Sequence, residues 1–233
     1  MICNMHRALI LLIVFLICST AICVFFDIDL RVASLFYLPG EGFPIGRMQP
    51  WNALYRFGEY PAYIMGTVCL LLAVASFFSP SLYSIRLKVL YIAVVLIIGP
   101  GILVNTLFKG YWGRPRPVHV KTYGGKLSFH QPWQPGPASK NASFPAGHPS
   151  AAFYMSTPYF TLREKKYRNK ALLWLWGGIF FGVVMGIARI VQGGHFVTDV
   201  IWSAGFVYLT CIALASIMLN KPEPVIKESQ CPS

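Results

Sequence analysis

Charge is what this sequence has least of. Of its 233 residues only 12% are charged, and 8 Asp and Glu stand against 20 Lys and Arg. Soluble globular domains carry roughly 25% charged residues, so half that share leaves too little polar side chain to cover a water-facing surface. A mean hydropathy of +0.55 agrees. Paired cysteines are also missing. Cys3, Cys18, Cys23, Cys69 and Cys211 fall in or beside apolar runs and Cys231 lies near the end, so they read as small hydrophobes, not disulfides or metal ligands. With Gly at 20 residues and aromatics at 15%, collagen-like and disordered chains are excluded too. An integral membrane protein with a strong basic excess remains.

What the chain does have is long apolar runs, at about 8–26, 61–78, 88–108, 148–162, 171–190 and 200–219. They are continuous and lack the two-residue alternation of barrel strands, so the expected fold is an all-α bundle of six transmembrane helices in one domain, 1–233. The fourth run is short and carries Pro158. A cleaved signal peptide is the alternative for the first run, but its apolar residues continue past Ala21 to Phe26. Short loops set the orientation. Arg163, Lys165, Lys166, Arg168 and Lys170 crowd the turn between runs four and five, and Arg86 and Lys88 mark the one between runs two and three. Those loops, both termini and a tail at 221–233 are expected in the cytoplasm, with 27–60, 109–147 and 191–199 on the far side.

Acids are scarce where chemistry would need them. From Tyr60 to Pro222 the carboxylates are Glu164, in the basic loop, and Asp199. A carboxylate-held metal site or a two-acid glycosidase is not expected there. The far side is instead cationic, with Lys109, Arg114, Arg116, Lys121, Lys126 and Lys140 in sequence. Such a loop can serve simply to attract anionic head groups. Around Arg114 and Arg116, however, Gly110, Gly113, Pro115 and Pro117 turn and stiffen the chain, and guanidinium forks match phosphate oxygens.

Two histidine segments follow. Phe144-Pro145-Ala146-Gly147-His148-Pro149-Ser150 enters the fourth run, where a helix start offers free N–H groups to an anion, or where His148 is merely a capping residue. His195 and Asp199 are four residues apart, so on a helix the carboxylate can hold one imidazole nitrogen and leave the other free, or the two form a structural pair. Arg189 at the end of a long apolar span is costly without a function.

Lys109-x6-Arg116-Pro117, Pro145-Ala146-Gly147-His148 and Arg189-x5-His195-x3-Asp199 together resemble the three signature blocks of the type 2 phosphatidic acid phosphatase (PAP2) superfamily, shared with vanadium haloperoxidases. A narrower similarity, to bacterial lipid A 4′-phosphatases, rests on Gly99-Pro100-Gly101, Asn105, Trp112-Gly113-Arg114-Pro115-Arg116-Pro117, Lys140-Asn141 with Ser143-Phe144, and Gln192-Gly193-Gly194-His195-Phe196. The resemblance implies a cofactor-free and metal-independent phosphatase. In it His195 is the nucleophile, Asp199 orients it and His148 is the general acid and base. Lys109, Arg116, Arg189 and the backbone at Ala146 and Gly147 bind phosphate, and Arg114 is a secondary cation. Ala146 and Ala188 stand where the family usually has Ser. The implied partners are a lipid phosphate and the bilayer, with no nucleic acid and no obligatory protein. The implied location is a bacterial inner membrane with the site facing the periplasm. Undecaprenyl pyrophosphate, phosphatidylglycerophosphate and phosphatidate are alternative substrates, and an inactive lipid-binding protein is the alternative of another class. The aromatic segment 27–60 either shapes lipid access or simply tethers two spans.

Overall fold

The computed structural model describes residues 2–137, 142–162 and 164–219; Lys140, Asn141, Arg163 and the expected tail at 221–233 lie outside them. It is a helical bundle. In chain order it comprises α1 (Ile2–Phe25), α2 (Ile28–Ser34), α3 (Trp51–Phe57), α4 (Tyr60–Ala75) and α5 (Arg86–Leu96), which runs on as a π-helix (Ile97–Phe108) and α6 (Lys109–Tyr111). Then come α7 (Gly147–Tyr154), α8 (Arg168–Val191) and α9 (Val197–Met218). Five helical stretches are long and apolar enough to cross a bilayer: His6–Phe25, Trp51–Ala75, Pro80–Tyr111, Lys165–Val191 and Val197–Met218. Their outer faces carry exposed Leu11, Phe15, Ile17, Leu173, Trp176 and Phe180, as hydrocarbon requires.

The fourth apolar run differs from its expected span. Its α-helix covers eight residues and gives way to a 3₁₀ turn at Thr157–Phe160 that begins around Pro158. Ser156 and Thr157 fold their hydroxyls back onto the carbonyls of Phe153 and Tyr154, which competes with continued helix. Nearly every residue of α7 is buried, so it is an inner element wrapped by the long helices. Its composition answers to neighbours and not to lipid.

Close approach around α7 comes from small residues. Gly178, Gly182 and Gly186 lie four apart along α8. A Cβ on Gly178 would fall 2.7 Å from the Ser156 Cα, and the other two glycines face Phe153 and Val200. Small residues at this spacing let membrane helices pack backbone to backbone. On the other side Tyr91 donates to the Cys211 carbonyl and Tyr154 to that of Ile92, at 2.9 and 3.1 Å, tying α5, α7 and α9.

At one end of the bundle a buried ion network joins distant segments. Arg114, 0% exposed, donates from Nη2 to Asp29 at 2.7 Å, from Nη1 to Asp199 at 2.5 Å and Thr198 at 2.8 Å, and from Nε to the His130 carbonyl at 2.9 Å. Asp29 also receives the Thr198 N–H at 2.9 Å and its hydroxyl at 2.5 Å. The guanidinium lies 4.7 Å from the Phe196 ring centre and 5.5 Å from that of Phe129. Burial opposes its charge, but Asp199 and Asp29 outweigh that and hold Arg114 protonated above its usual value.

Removing one member of such a network strands buried charge, at about 3–5 kcal/mol. Asp29→Ala and Arg114→Ala are therefore expected to lower the thermal midpoint in detergent strongly. Arg114→Lys should rescue little, because an ammonium cannot reach four acceptors on three sides. A midpoint unchanged in Asp29→Ala would contradict this account.

Candidate active site

The C-terminal ends of α6 and α8 and the N-terminal ends of α7 and α9 meet here. Asn105 and Lys109, one turn apart at the end of the π-helix and α6, both reach Gly147 at the start of α7. A Cβ on Gly147 would lie 2.5 Å from Asn105 Oδ1 and 2.6 Å from Lys109 Nζ. Asn105 is itself fixed by donating to the Pro100 carbonyl at 2.8 Å, the carbonyl five residues back that the wide π-turn presents. Arg189, at the end of α8, packs on Gly194, where a Cβ would be 2.6 Å from Nη2. Gly193 turns the chain at φ +63°, a conformation open to glycine, and its carbonyl accepts from the Val118 N–H at 3.1 Å, which draws the Arg116 loop in.

His195 follows this turn and is 1% exposed. Its Nδ1 faces Asp199 Oδ2 across 3.7 Å, beyond hydrogen-bond reach. The Asp199 carboxylate is already held by Arg114, by the Ser143 hydroxyl and by the Phe196 N–H at 2.7 Å. Burial, with Arg189 and Lys109 adding to it and Asp199 opposing, lowers the His195 pKa to about 3. The imidazole is thus neutral, the form able to attack phosphorus.

His148, in the first turn of α7, stacks on Tyr55 with ring centres 5.0 Å apart and has Nδ1 3.5 Å from Glu59 Oε1. Tyr55 also carries Arg189, whose Cζ sits 4.5 Å from the ring centre. Lys109, Arg116, Arg189 and both histidines are close enough to act on one another electrostatically. Among the described residues, the buried side-chain polar atoms with no hydrogen-bond partner are Arg116 Nε, Arg189 Nε, His195 Nδ1 and Tyr208 Oη. Three of the four belong to this cluster. Unpaired buried donors are costly, and an oxyanion beside the two guanidinium groups would satisfy them.

Two expected phosphate contacts fall elsewhere. Arg114 is consumed by Asp29 and Asp199 and presents no donor to the cluster. The loop prolines and glycines do fix its direction, but inward. The Ala146 N–H donates to the Asp199 carbonyl at 3.2 Å, while its own carbonyl receives the Ser203 hydroxyl at 2.5 Å. Gly147 and His148, at the first turn, have N–H groups without intrahelical acceptors. Glu59 has no signal in the sequence, Tyr55 reads there only as part of the aromatic segment and Gln192 only as part of a resemblance block, because nothing links a residue near 55 to His148. Gln192 accepts from Arg189 Nη1 and donates to the carbonyls of Gly46 and Trp51 at 3.2 and 3.1 Å. The segment 27–60 thereby forms a wall of the site. Among the described residues no three or more His, Cys, Asp or Glu side chains gather as a metal ion would need.

At one end of this membrane helix bundle three cations, Lys109, Arg116 and Arg189, and two histidines, His148 and His195, come together. The PAP2 superfamily model matches residues 88–223, which include every one of those five residues, and the chain belongs to that superfamily. It is 32% identical over 205 residues to the lipid A 4′-phosphatase of Francisella tularensis subsp. novicida (strain U112), covering 86% of this chain and 90% of that one. The lipid A 4′-phosphatases of Rhizobium leguminosarum and Rhizobium etli are each 30% identical, over 121 and 137 residues; the match spans 50% of each chain for the first, and 58% of this chain and 51% of the relative for the second. No solved structure matches.

Gly147→Ala and Gly194→Ala are expected to cut phosphatase turnover by about 10²-fold, because an added methyl displaces Lys109 or Arg189 and misplaced charge stabilisation costs that much. Circular dichroism of the variants should match the parent. The lowered His195 pKa also has a stability consequence. The unfolded chain takes up a proton near 6.5 that the folded one refuses down to about 3. The contribution is thus intact above 6.5 and lost as pH falls from 6.5 toward 3. Thermal midpoints of His195→Gln should decline less across that window than those of the parent.

Proposed function

We propose that this phosphatase hydrolyses the phosphomonoester of a membrane lipid at the extracytoplasmic face, with lipid A 4′-phosphate, the substrate in its relatives' names, as the preferred target. One observation carries the reading: two histidines, each facing a carboxylate, flank a single cluster of Lys109, Arg116 and Arg189. Pure binding needs the cations and not the two histidine–carboxylate pairs. The basic turns at Arg86 and Lys88 and at Lys165, Lys166, Arg168 and Lys170 support a cytoplasmic opposite end, which leaves the site on the periplasmic side of a bacterial inner membrane.

In this mechanism His195 attacks phosphorus through the ring nitrogen turned away from Asp199. The N–P bond forms as the bond to the lipid oxygen breaks, and His148 gives that alkoxide its proton. Water then attacks the phosphohistidine, His148 takes the water's proton, and inorganic phosphate leaves with His195 restored. Lys109, Arg116 and Arg189 balance the charge on the equatorial oxygens. Asp199 stabilises the imidazolium that develops on attack, and Glu59 holds the orientation and proton of His148 from behind.

Detergent-purified protein in EDTA should release phosphate from lipid A faster than from phosphatidate, phosphatidylglycerophosphate or undecaprenyl pyrophosphate. Release from none of the four would end the enzyme reading, and a requirement for added Mg²⁺ would contradict the metal-free site. His195→Ala should abolish turnover and the acid-labile phosphoenzyme seen after rapid quench. His148→Ala should lose about 10²–10⁴-fold, and Glu59→Gln less, with both losses shrinking on an aryl phosphate whose leaving group needs no proton. Equal losses on both substrates would remove His148 and Glu59 from the protonation step.

A further inference from the structure

Two members of the cluster are held by few hydrogen bonds. Arg189 donates from Nη1 to Gln192, while its Nε is buried with no partner. His148 Nδ1 is 3.5 Å from Glu59 Oε1, past the usual length of a hydrogen bond. What both share is Tyr55. Its ring stacks on the His148 imidazole, with centres 5.0 Å apart and planes 23° from parallel, and the Arg189 Cζ lies over it at 4.5 Å from the ring centre.

An aromatic face restrains these groups in a particular way. A carboxylate could fix Arg189 as firmly, but it would cancel the charge and occupy N–H groups that phosphate oxygens need. A ring quadrupole attracts the guanidinium without a counter-charge. Stacking likewise holds an imidazole by its face, and both ring nitrogens lie at the edge, so neither is spent. The ring is itself fixed from α8. Gly58, three residues on, approaches Met185 so closely that a Cβ there would collide with the methionine methyl, and the fully buried Met185 precedes Arg189 by one turn. Gln192 holds the other end of α3 through the Trp51 carbonyl at 3.1 Å. Thus α3 is clamped along the end of α8 that carries Arg189. At 44% exposure the Tyr55 ring fills no core position.

We propose that Tyr55 is a positioning residue: its ring holds His148, which protonates the leaving oxygen in the reaction above, and Arg189, which holds the phosphoryl oxygens, in one fixed relation. The proposal rests on the lipid phosphatase reading and gives two parts of its chemical step, proton transfer and charge stabilisation, a common support. Loss of the ring frees both groups at once, and a misplacement of about 1 Å costs on the order of 10²-fold. The aromatic face is what acts. Phe therefore serves as Tyr does, whereas Leu, apolar but without a quadrupole, does not.

The test uses full-length protein in detergent micelles, as parent, Tyr55→Phe and Tyr55→Leu, on a lipid phosphomonoester and on an aryl phosphate. Tyr55→Phe should keep the parent's kcat on both, while Tyr55→Leu should lose about 10²-fold on the lipid. The loss should shrink on the aryl phosphate, whose leaving group needs no proton. What remains there should reappear as weaker inhibition by orthovanadate, which mimics the five-coordinate phosphorus. In a His148→Ala background the effect of Tyr55→Leu on the lipid should fall to that aryl remainder, the non-additivity expected of side chains that act through one another. Should Tyr55→Leu lower the thermal midpoint, Tyr55→Met, also without a ring, takes its place with the same expectations. Phe as damaging as Leu would assign the effect to the hydroxyl and overturn the proposal. So would a Leu variant at the parent's rate, equal losses on the two substrates, or unaltered vanadate inhibition. Parent protein that releases phosphate from neither substrate defeats the underlying phosphatase reading instead, an outcome distinct from a silent Tyr55.

Discussion

The ion pair between Arg114 and Asp199 fixes the geometry of everything else at this end of the molecule. Two fully buried charges are tolerable only when their remaining donors and acceptors are filled, and here they are filled by segments far apart in the chain: Asp29 from α2, Thr198 from α9, the His130 carbonyl and the Ser143 hydroxyl. The same carboxylate faces His195. One aspartate thus joins the scaffold to the buried imidazole of His195. The loop holding Arg116 and the turn holding His195 are positioned by what Arg114 and Asp199 need from their neighbours.

A second constraint is steric. The cations come close to backbone, Lys109 against Gly147 and Arg189 against Gly194, and α7 comes close to α8 along a row of glycines. Small residues therefore act twice, letting the inner helix sit among the long ones and letting charged side chains approach its start. This explains how a short helix can carry His148 to the cationic cluster. It is enclosed by protein, so its length need not match the lipid.

Much of this was legible in the sequence, and what was not has a physical reason. Lys109, His148, Arg189 and His195 sit at or beside helix ends, and helix ends follow from apolar runs and their breaks, so their convergence could be read from topology; Arg116 joins them from a loop. Arg114 looked like a phosphate ligand because sequence shows charge without showing partners, and Asp29 is 85 residues away. The carboxylate count stopped at Tyr60, one residue past Glu59, and the fold carries Glu59 back to His148. The break in the fourth run was not legible because hydropathy does not show the hydroxyl-to-carbonyl bonds of Ser156 and Thr157 that accompany the change from α-helix to 3₁₀ turn.

Setting the charges side by side gives the last step. Lys109, Arg116 and Arg189 repel one another at short range in a poorly screened site. Asp199, paired with Arg114, also reaches Arg116, while Glu59 is the carboxylate that reaches Lys109 and Arg189, so the acids near the three cations stay fewer than the cations they must serve. The cluster is therefore unbalanced in the free protein, and a phosphate dianion restores the balance. In the proposed reaction, repulsion held in place by the Arg114 network becomes attraction for the phosphoryl group, and more so for a transition state whose charge is spread over three oxygens. The scarcity of acidic residues in the sequence thus fits the proposed mechanism: each further carboxylate near the cluster would neutralise a cation that the proposal assigns to the phosphoryl group.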